Sequence, residues 1–297
     1  MVSDLLPIQG TIGKQTFNPY KKDSKALVSK VKSNSNLKET ILKAVNLIGG
    51  FQKIVEKGDE VLLKPNFNSS SPPPASSDPE FVKAVIELLY EHGAAKVVLG
   101  ESSMQLLSTS RVLEKTGMTE KAKEAAVEIV NFNKEEFAKV HIGGKYLKAV
   151  SLPKIALKAQ KLVYVCCLKT HSRAKFTMSL KLAFGYIKRR ERVRFHMRNL
   201  EEKIADLNLA VHPNLIIMDA RKCFITGGPF SGNLRNPGFV LASGDRVAID
   251  VEGIKIIESF EGSNLTDNPW SYRQIQRAVE LELGAKNEQD YEVILEP

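Results

Sequence analysis

The chain has 297 residues, a formal net charge of +9 and a hydrophobic fraction of 43%, values typical of a globular protein with a sizeable core. No apolar run approaches the roughly 18 residues that cross a bilayer, and residues 1–20 lack the apolar core of a secretory signal. We therefore expect a cytoplasmic protein without a membrane partner. Three cysteines cannot form a disulfide framework, and their odd number fits a reducing compartment.

The N-terminal half predicts an alternation of strands and helices. Residues 1–24 are polar and rich in lysine, which predicts an N-terminal arm, and residues 25–297 are expected to form a single α/β domain. Short apolar runs predict buried strands, and apolar residues at helical spacing predict helices. In chain order the predictions are strand 26–31, helix 37–57 interrupted near Gly49, strand 60–64, loop 66–77, helix 79–92 capped by Asp78, strand 96–100 and helix 111–126 broken near Gly117.

The C-terminal half continues the alternation and decides the fold class. Its predicted elements are strands 127–130, 146–150 and 161–167, helices 176–187 and 200–210, strands 214–219 and 239–242, helices 245–259 and 270–283, and an edge strand 291–295. Continuous apolar strands between helices indicate an α/β fold whose mostly parallel sheet is covered by helices on both faces. Segment 127–150 departs from this pattern and predicts a small additional hairpin or subdomain.

Polar side chains follow four of the predicted strands directly. In an open parallel sheet, ligands bind outside the carboxyl ends of the strands, so we expect these side chains to converge on one crevice. They are Lys64 and Asn66 after the first of these strands, Glu101 after the second, Lys169 and His171 after the third, and Asp219 after the fourth.

His171 is the candidate for proton transfer, because an imidazole titrates near neutral pH. Lys169 would bind an anionic substrate group or lower the imidazole pKa, and Asp219 or Glu101 would orient the histidine or take part in acid–base chemistry. The alternative interpretation is structural: a lysine after a strand is often solvated, as Lys64 would then be, and an aspartate often caps a turn.

Further candidates for substrate binding come from loops and helix starts. Asp78 caps a helix beside the crevice, where backbone N–H groups would be available to an anion. Lys181 lies on a predicted helix, His196 lies in an arginine-rich segment, and Gly227 and Gly228 would let backbone approach a ligand closely. Neither a P-loop nor a G-x-G-x-x-G motif occurs, and no C-x-x-C spacing predicts a metal site, so the cofactor stays unknown.

Segment 188–198 carries six cationic side chains against the single carboxylate of Glu191 and so supplies about five of the nine net charges. It is interpreted as a mobile lid over an anionic substrate, as a solvated loop, or as a surface for nucleic acid. Only Tyr186 and Phe195 lie nearby for base stacking, which makes the nucleic-acid interpretation the weaker one.

Several motifs in this order resemble the bacterial and archaeal family known as domain of unknown function 362. They are Val-Leu-Leu-Lys-Pro-Asn at 61–66, Ser-Asp-Pro at 77–79, Leu-Lys-Thr-His at 168–171, Ser-Leu-Lys-Leu at 179–182, His196, Asp219, Gly-Gly-Pro at 227–229 and Ala-Ser-Gly-Asp at 242–245. The resemblance implies a family fold and a shared site, but no assigned reaction. The family usually has Lys-Asn where this chain has Lys181-Leu182, and many relatives carry a ferredoxin-like segment with iron–sulfur clusters that this sequence does not show. The architecture also resembles that of lactate-racemase-type proteins.

The leading hypothesis is an enzyme that acts on a small anionic substrate, bearing a carboxylate or a phosphate, by acid–base chemistry. Lys64, Lys169 and Lys181 would bind the charge and His171 would move the proton. Two alternatives are a nucleic-acid or phosphate-binding protein that uses segment 188–198, and a metal or iron–sulfur redox protein. The last is suggested only by the family and by Cys166 and Cys167. Within the leading hypothesis, the crevice would also offer a site for a hard cation between Asp78, Glu101 and Asp219. The oligomeric state is not predicted.

Overall fold

A computed structural model describes residues 18–296 of the chain. The strands are β1 Lys21–Lys22, β2 Lys25–Lys32, β3 Glu60–Lys64, β4 Lys96–Glu101, β5 Glu128–Asn131, β6 Phe137–His141, β7 Ala149–Pro153, β8 Lys161–His171, β9 Lys175–Thr177, β10 Leu215–Phe224, β11 Leu234–Arg235, β12 Phe239–Ser243 and β13 Tyr291–Leu295. The α-helices are α1 Leu37–Leu47, α2 Pro79–Glu91, α3 Thr109–Thr116, α4 Met118–Glu124, α5 Lys154–Lys158, α6 Ser179–Leu182, α7 Arg192–Phe195, α8 Leu200–Leu207, α9 Arg246–Glu258 and α10 Arg273–Glu280.

Short 3₁₀ turns complete the described chain. They are Phe51–Lys53, Phe132–Lys134, Ala183–Tyr186, Arg189–Glu191, Pro269–Ser271 and Glu288–Asp290.

One mixed sheet organises the molecule, with the strand order β1-β2-β12-β10-β8-β3-β4-β5. The five neighbours β10, β8, β3, β4 and β5 are mutually parallel, whereas β12 is antiparallel to β10 and β2 is antiparallel to β12. The edge strand β13 pairs with β2 in parallel. The fold is therefore α/β with a mostly parallel sheet.

Helices cover both faces of this sheet, and each face has its own apolar core. Residues of α1 to α4 pack into one core and residues of α6, α8, α9 and α10 pack into the other. Successive residues of β8 alternate between them, since Val163 and Val165 lie in the first core while Tyr164 and Cys166 lie in the second. A strand buried on both faces needs apolar residues at every position, which is why the predicted strands are uninterrupted apolar runs.

Local capping fixes where the helices begin. The Asp78 side chain accepts a hydrogen bond from the Glu80 N–H at 3.0 Å, and Pro79 occupies the first turn of α2. Such an N-cap contributes about 1 kcal/mol to helix stability.

Two expectations for the middle of the chain are corrected. β5 joins the main sheet parallel to β4, so the additional hairpin consists of β6 and β7 alone. The predicted helix 176–187 is instead the short strand β9, α6 and a 3₁₀ turn, because β8 runs on to His171 and folds back through Lys175, whose φ is +62°.

The N-terminal arm is only partly described. Residues 1–17 of the predicted arm lie outside the described residues. Within 18–24, β1 pairs with β2, and the Tyr20 side chain is fully buried with its hydroxyl donating to the Gly50 carbonyl. This part of the predicted arm is therefore packed onto the sheet.

Candidate functional site

A cavity of about 890 Å³ lies where β3, β4 and β8 end. Its volume falls in the range of pockets that bind small molecules and cofactors. Seven of the side chains predicted from the sequence line it, although they are spread over more than 130 positions of the chain: Lys64, Asn66, Glu101, Lys169, His171, Lys181 and His196.

Lys64 and Glu101 form a buried ion pair on adjacent strands. The Lys64 Nζ lies 2.5 Å from Glu101 Oε2 and 2.6 Å from the Pro65 carbonyl oxygen. Burial lowers the pKa of Lys64, and the Glu101 carboxylate acts in the opposite direction. The backbone N–H groups of Phe67 and Ser102 also donate to this carboxylate. Glu101 is therefore engaged in holding a cation.

Gly185 makes room for this ion pair. A Cβ atom at this position would lie 2.8 Å from Lys64 Cε and 3.0 Å from its Nζ. A side chain here would displace the lysine from its carboxylate, so the glycine is required by close packing.

Lys169 is a second buried cation, with no carboxylate within ion-pair distance among the described residues. Its Nζ donates to the Ala75 carbonyl, and burial lowers its pKa. Thr177 lies directly opposite Lys169 in the β8–β9 pair, so the two side chains share a face. The Thr177 hydroxyl is buried and has no hydrogen-bond partner within residues 18–296. An unsatisfied buried hydroxyl beside a cation in a cavity wall is a ready contact for a bound polar group.

Lys181 is a further cation of the cavity wall. Its Nζ lies 5.1 Å from the centre of the Phe184 ring, and no described carboxylate pairs with it. Burial, together with the nearby charges of Lys169 and Arg192, lowers the pKa of Lys181 to about 7. This amine is consequently partly protonated at neutral pH and responds to any anion that enters.

The two histidines of the cavity have opposite tautomers. His171 Nδ1 accepts hydrogen bonds from the N–H groups of Arg173 and Ala174 at 3.1 Å each, so its Nε2 carries the proton in the neutral form. His196 Nδ1 lies 2.8 Å from the Arg192 carbonyl oxygen, which only accepts, so this Nδ1 carries the proton and Nε2 keeps a lone pair.

Both imidazoles are held neutral. Burial and the nearby Lys181 and Lys169 charges lower the pKa of His171 to about 2, and burial also lowers the pKa of His196. The cavity thus contains one neutral imidazole donor and one neutral imidazole acceptor.

Asp78 and Asp219 do not lie in this cavity. They line a smaller pocket of about 150 Å³ with Cys167 and Arg221, whose Nη2 lies 2.8 Å from Asp78 Oδ2 and 2.7 Å from Asp219 Oδ2. Asp219 lies opposite Cys167 in the β8–β10 pair, two residues before Lys169 on β8, and its carboxylate is bound by Arg221. The expected convergence of these carboxylates with the cavity side chains is wrong, and so is the expected cation site, because only Glu101 of that set lines the cavity.

Gly227 and Gly228 shape a turn and do not line the cavity, contrary to expectation. A Cβ at Gly228 would lie 1.9 Å from the Thr170 carbonyl oxygen, and its φ of +71° also favours glycine. The turn packs against β8 and brings Pro229 and Phe230 to the cavity wall.

One arginine of segment 188–198 points inward. Arg192 is buried, and its guanidinium donates to the carbonyl oxygens of Ile187 at 2.9 Å and Ser103 at 2.7 Å. Burial lowers its pKa to about 10. Arg192, Thr177 and Phe184 line the cavity but were not singled out from the sequence, because neither a charge run nor an apolar pattern tells which member of a segment turns inward.

The cysteines do not provide the ligands of an iron–sulfur cluster. Cys166 and Cys167 are buried neighbours whose side chains point to opposite faces of β8, and the buried Cys223 lies on β10. Across residues 18–296 no group of three or more His, Cys, Asp or Glu side chains has the arrangement of a metal site. The part of the chain that the structure describes contains no helix with the length and apolarity of a membrane span.

Comparison with known proteins places the chain in a family. A thylakoid-associated protein of Synechocystis sp. is 29% identical over 211 residues, which cover 68% of this chain and 64% of that protein, so the chain spans less than two thirds of this relative. The lactate racemase apoprotein from Thermoanaerobacterium thermosaccharolyticum is similar with a TM-score of 0.40 and 10% identity, over 80% of this chain and 59% of that one. The model of the family described as Domain of unknown function (DUF362) matches residues 61–255, and the protein therefore belongs to this family.

Proposed function

We propose that the protein is an enzyme that acts on a small anionic substrate, bearing a carboxylate or a phosphate, by acid–base chemistry in the cavity. The observation that carries this proposal is an imbalance of charge. Lys169, Lys181 and Arg192 face or line the cavity, and the one carboxylate among its lining residues, Glu101, is already paired with Lys64. Cations that are wholly or partly removed from water without a counter-ion are costly, and an anionic ligand would offset that cost.

The anionic group of the substrate would bind between Lys169, Lys181 and the Thr177 hydroxyl. Lys169 and Thr177 are adjacent in the β8–β9 pair, and Lys181 lines the same cavity. The charge of Lys169 contributes to the lowered pKa of Lys181. A bound anion favours the protonated amine and would raise the pKa of Lys181 again. Binding above pH 7 would therefore take up a proton.

One histidine supplies the general base and the other supplies a hydrogen-bond donor. His196 Nε2 has the free lone pair and would accept a proton from the substrate, whereas His171 Nε2–H would donate a hydrogen bond to the oxygen on which negative charge develops. The sequence predicts that His171 transfers a proton. In this proposal it donates a hydrogen bond instead, because its pKa of about 2 keeps it neutral.

Substitution of Lys181 by methionine tests the binding step. We expect Lys181→Met to weaken the binding of pyruvate or inorganic phosphate at least tenfold at pH 6.5, measured by titration calorimetry, since a charge-assisted contact contributes about 1.5–3 kcal/mol. Lys148→Met is the matched control, because Lys148 is exposed and does not line the cavity. Equal affinities of the two variants, or no binding of either anion by the unaltered protein, would contradict the proposal.

Where the activity takes place is a separate proposal. We place it in the cytoplasm, as the sequence predicts, while the thylakoid association of the Synechocystis relative makes attachment to a membrane surface the alternative. Fractionation of cells that express the tagged full chain distinguishes the two by the presence of the protein in the supernatant or with the membranes.

A further inference from the structure

The cavity has a charged floor and a mouth with three exposed apolar side chains, beside the exposed Ser172 and Arg173. Lys64 and Lys169 are 1% and 0% exposed, whereas three apolar side chains of its wall are 52%, 73% and 39% exposed: Val193, Met197 and Phe230. Apolar side chains at the entrance of a pocket would contribute little binding free energy to a wholly polar ligand. Exposed apolar groups that cluster at a pocket mark a surface that is covered on binding.

An apolar wall connects the mouth to the floor. Leu182 is buried, Phe184 is half-buried, and both line the cavity. Leu182 directly follows Lys181 in the sequence, and the Phe184 ring lies beside the Lys181 amine. The Phe184 ring packs edge-on against Phe195 and His196, which holds it in place between the histidine and the lysine. A ligand that reaches the cations therefore passes along apolar side chains.

We infer that the substrate is an amphipathic anion, with its charged end at Lys169 and Lys181 and an apolar tail that lies along Phe184, Val193 and Met197. The inference rests on the proposed function and specifies the substrate class of the same site. A short acid would fill only a small part of a cavity of about 890 Å³. A substrate with many hydroxyl or phosphate groups would leave them unpaired against this apolar wall, which is unfavourable.

A series of straight-chain carboxylates tests the inference. Acetate, butanoate, octanoate and dodecanoate, each below its micellar concentration, are titrated into the full-length protein at pH 6.5. Affinity should rise up to about fourfold per added methylene while the chain remains in contact with the wall, which is the burial energy of one methylene converted to a ratio. Dodecanol, which has the tail without the charge, should bind at least tenfold more weakly than dodecanoate.

Rim variants report the position of the tail. Val193→Ser and Met197→Ser should each reduce the affinity for dodecanoate several-fold and leave that for butanoate unchanged. Leu295→Ser is the matched control, because Leu295 is 62% exposed but does not line the cavity, and it should change neither affinity. Lys181→Met should weaken all four carboxylates.

The outcomes separate the inference from the proposed function. If all chain lengths bind equally and Lys181→Met weakens them, the anion site stands and the amphipathic substrate is refuted. If no carboxylate binds, the inference is refuted, and if inorganic phosphate does not bind either, the proposed function fails as well. If the rim variants abolish binding to phosphatidylglycerol vesicles but not to dodecanoate, the apolar mouth contacts a membrane surface and the inference is overturned.

Discussion

Two polar clusters lie on neighbouring strands, and they differ in how their charges are balanced. In the Arg221 cluster, formed by Asp78, Asp219 and Arg221, one guanidinium binds two carboxylates at 2.7 and 2.8 Å. In the cavity cluster, formed by Lys64, Glu101, Lys169, His171, Thr177, Lys181, Arg192 and His196, cations outnumber the single carboxylate and one hydroxyl is unsatisfied. Both clusters contain charged side chains, so the feature that indicates a ligand is the presence of cations that have no carboxylate partner, and of a hydroxyl that has no hydrogen-bond partner, within the described residues.

The pKa values of the cations shift in opposite directions in the two clusters, because only the Arg221 cluster has enough carboxylates to balance its cation. The two aspartates raise the pKa of Arg221 against the effect of its burial, so its charge is stabilised in place. In the cavity cluster, burial prevails and lowers the pKa of Lys169 and Lys181. The first cluster has its counter-ions within the fold, and the second needs one from outside.

The largest expected effect is on stability, from removal of a counter-ion. Glu101→Gln should lower the free energy of unfolding by about 3–5 kcal/mol, since it leaves the buried Lys64 cation unpaired. Asp219→Asn should cost about 1 kcal/mol, because Arg221 is partly exposed and keeps Asp78. Urea denaturation at pH 7 measures both, and a loss for Glu101→Gln no greater than that for Asp219→Asn would erase the contrast between the clusters.

A second prediction concerns the pH dependence of stability. The pKa of Lys181 is about 7 in the folded protein and about 10.4 in an unfolded chain, so the unfolded state binds more protons between these values. Its destabilising effect is complete below pH 7 and disappears as pH rises through 10.4. Lys181→Met should therefore stabilise the protein at pH 6.5, by about 1–2 kcal/mol, and the gain should shrink by pH 9.5.

Denaturation of the same variant at pH 6.5, 8 and 9.5 checks this sign. Lys148→Met, on the exposed surface, should show a difference from the unaltered protein that does not vary with pH. A gain for Lys181→Met that stays constant over the three values would mean that the amine keeps its ordinary pKa.

The smallest expected effect separates two buried hydroxyls. Thr170 and Thr177 both have unsatisfied hydroxyls within the described chain, but only Thr177 lines the cavity. Thr177→Val should weaken anion binding about three- to tenfold, as expected for the loss of one hydrogen bond, and Thr170→Val should leave it unchanged. Titration with phosphate at pH 6.5 compares them, and an equal response of the two variants would remove Thr177 from the site.

Much of the site was predictable from local order along the chain. A lysine or histidine directly after an apolar strand must lie at the end of that strand, and parallel strands end at one edge, so the meeting of Lys64, Lys169 and His171 follows from the pattern. Arg192 and Thr177 were not found in this way. Their positions depend on how β9 and α7 fold back over the sheet, and short elements of this kind have no strong periodicity.

The sequence by itself determined the strand and helix alternation, the cap at Asp78 and the set of polar residues at the strand ends, because these depend on apolar spacing and on backbone hydrogen bonds between near neighbours. Only the tertiary structure decided which of those residues share a cavity. Asp219 does not reach the cavity because it lies opposite Cys167, four residues before His171 on β8, and is bound by Arg221. The pKa of a lysine falls to near neutral only where packing removes water and no carboxylate replaces it.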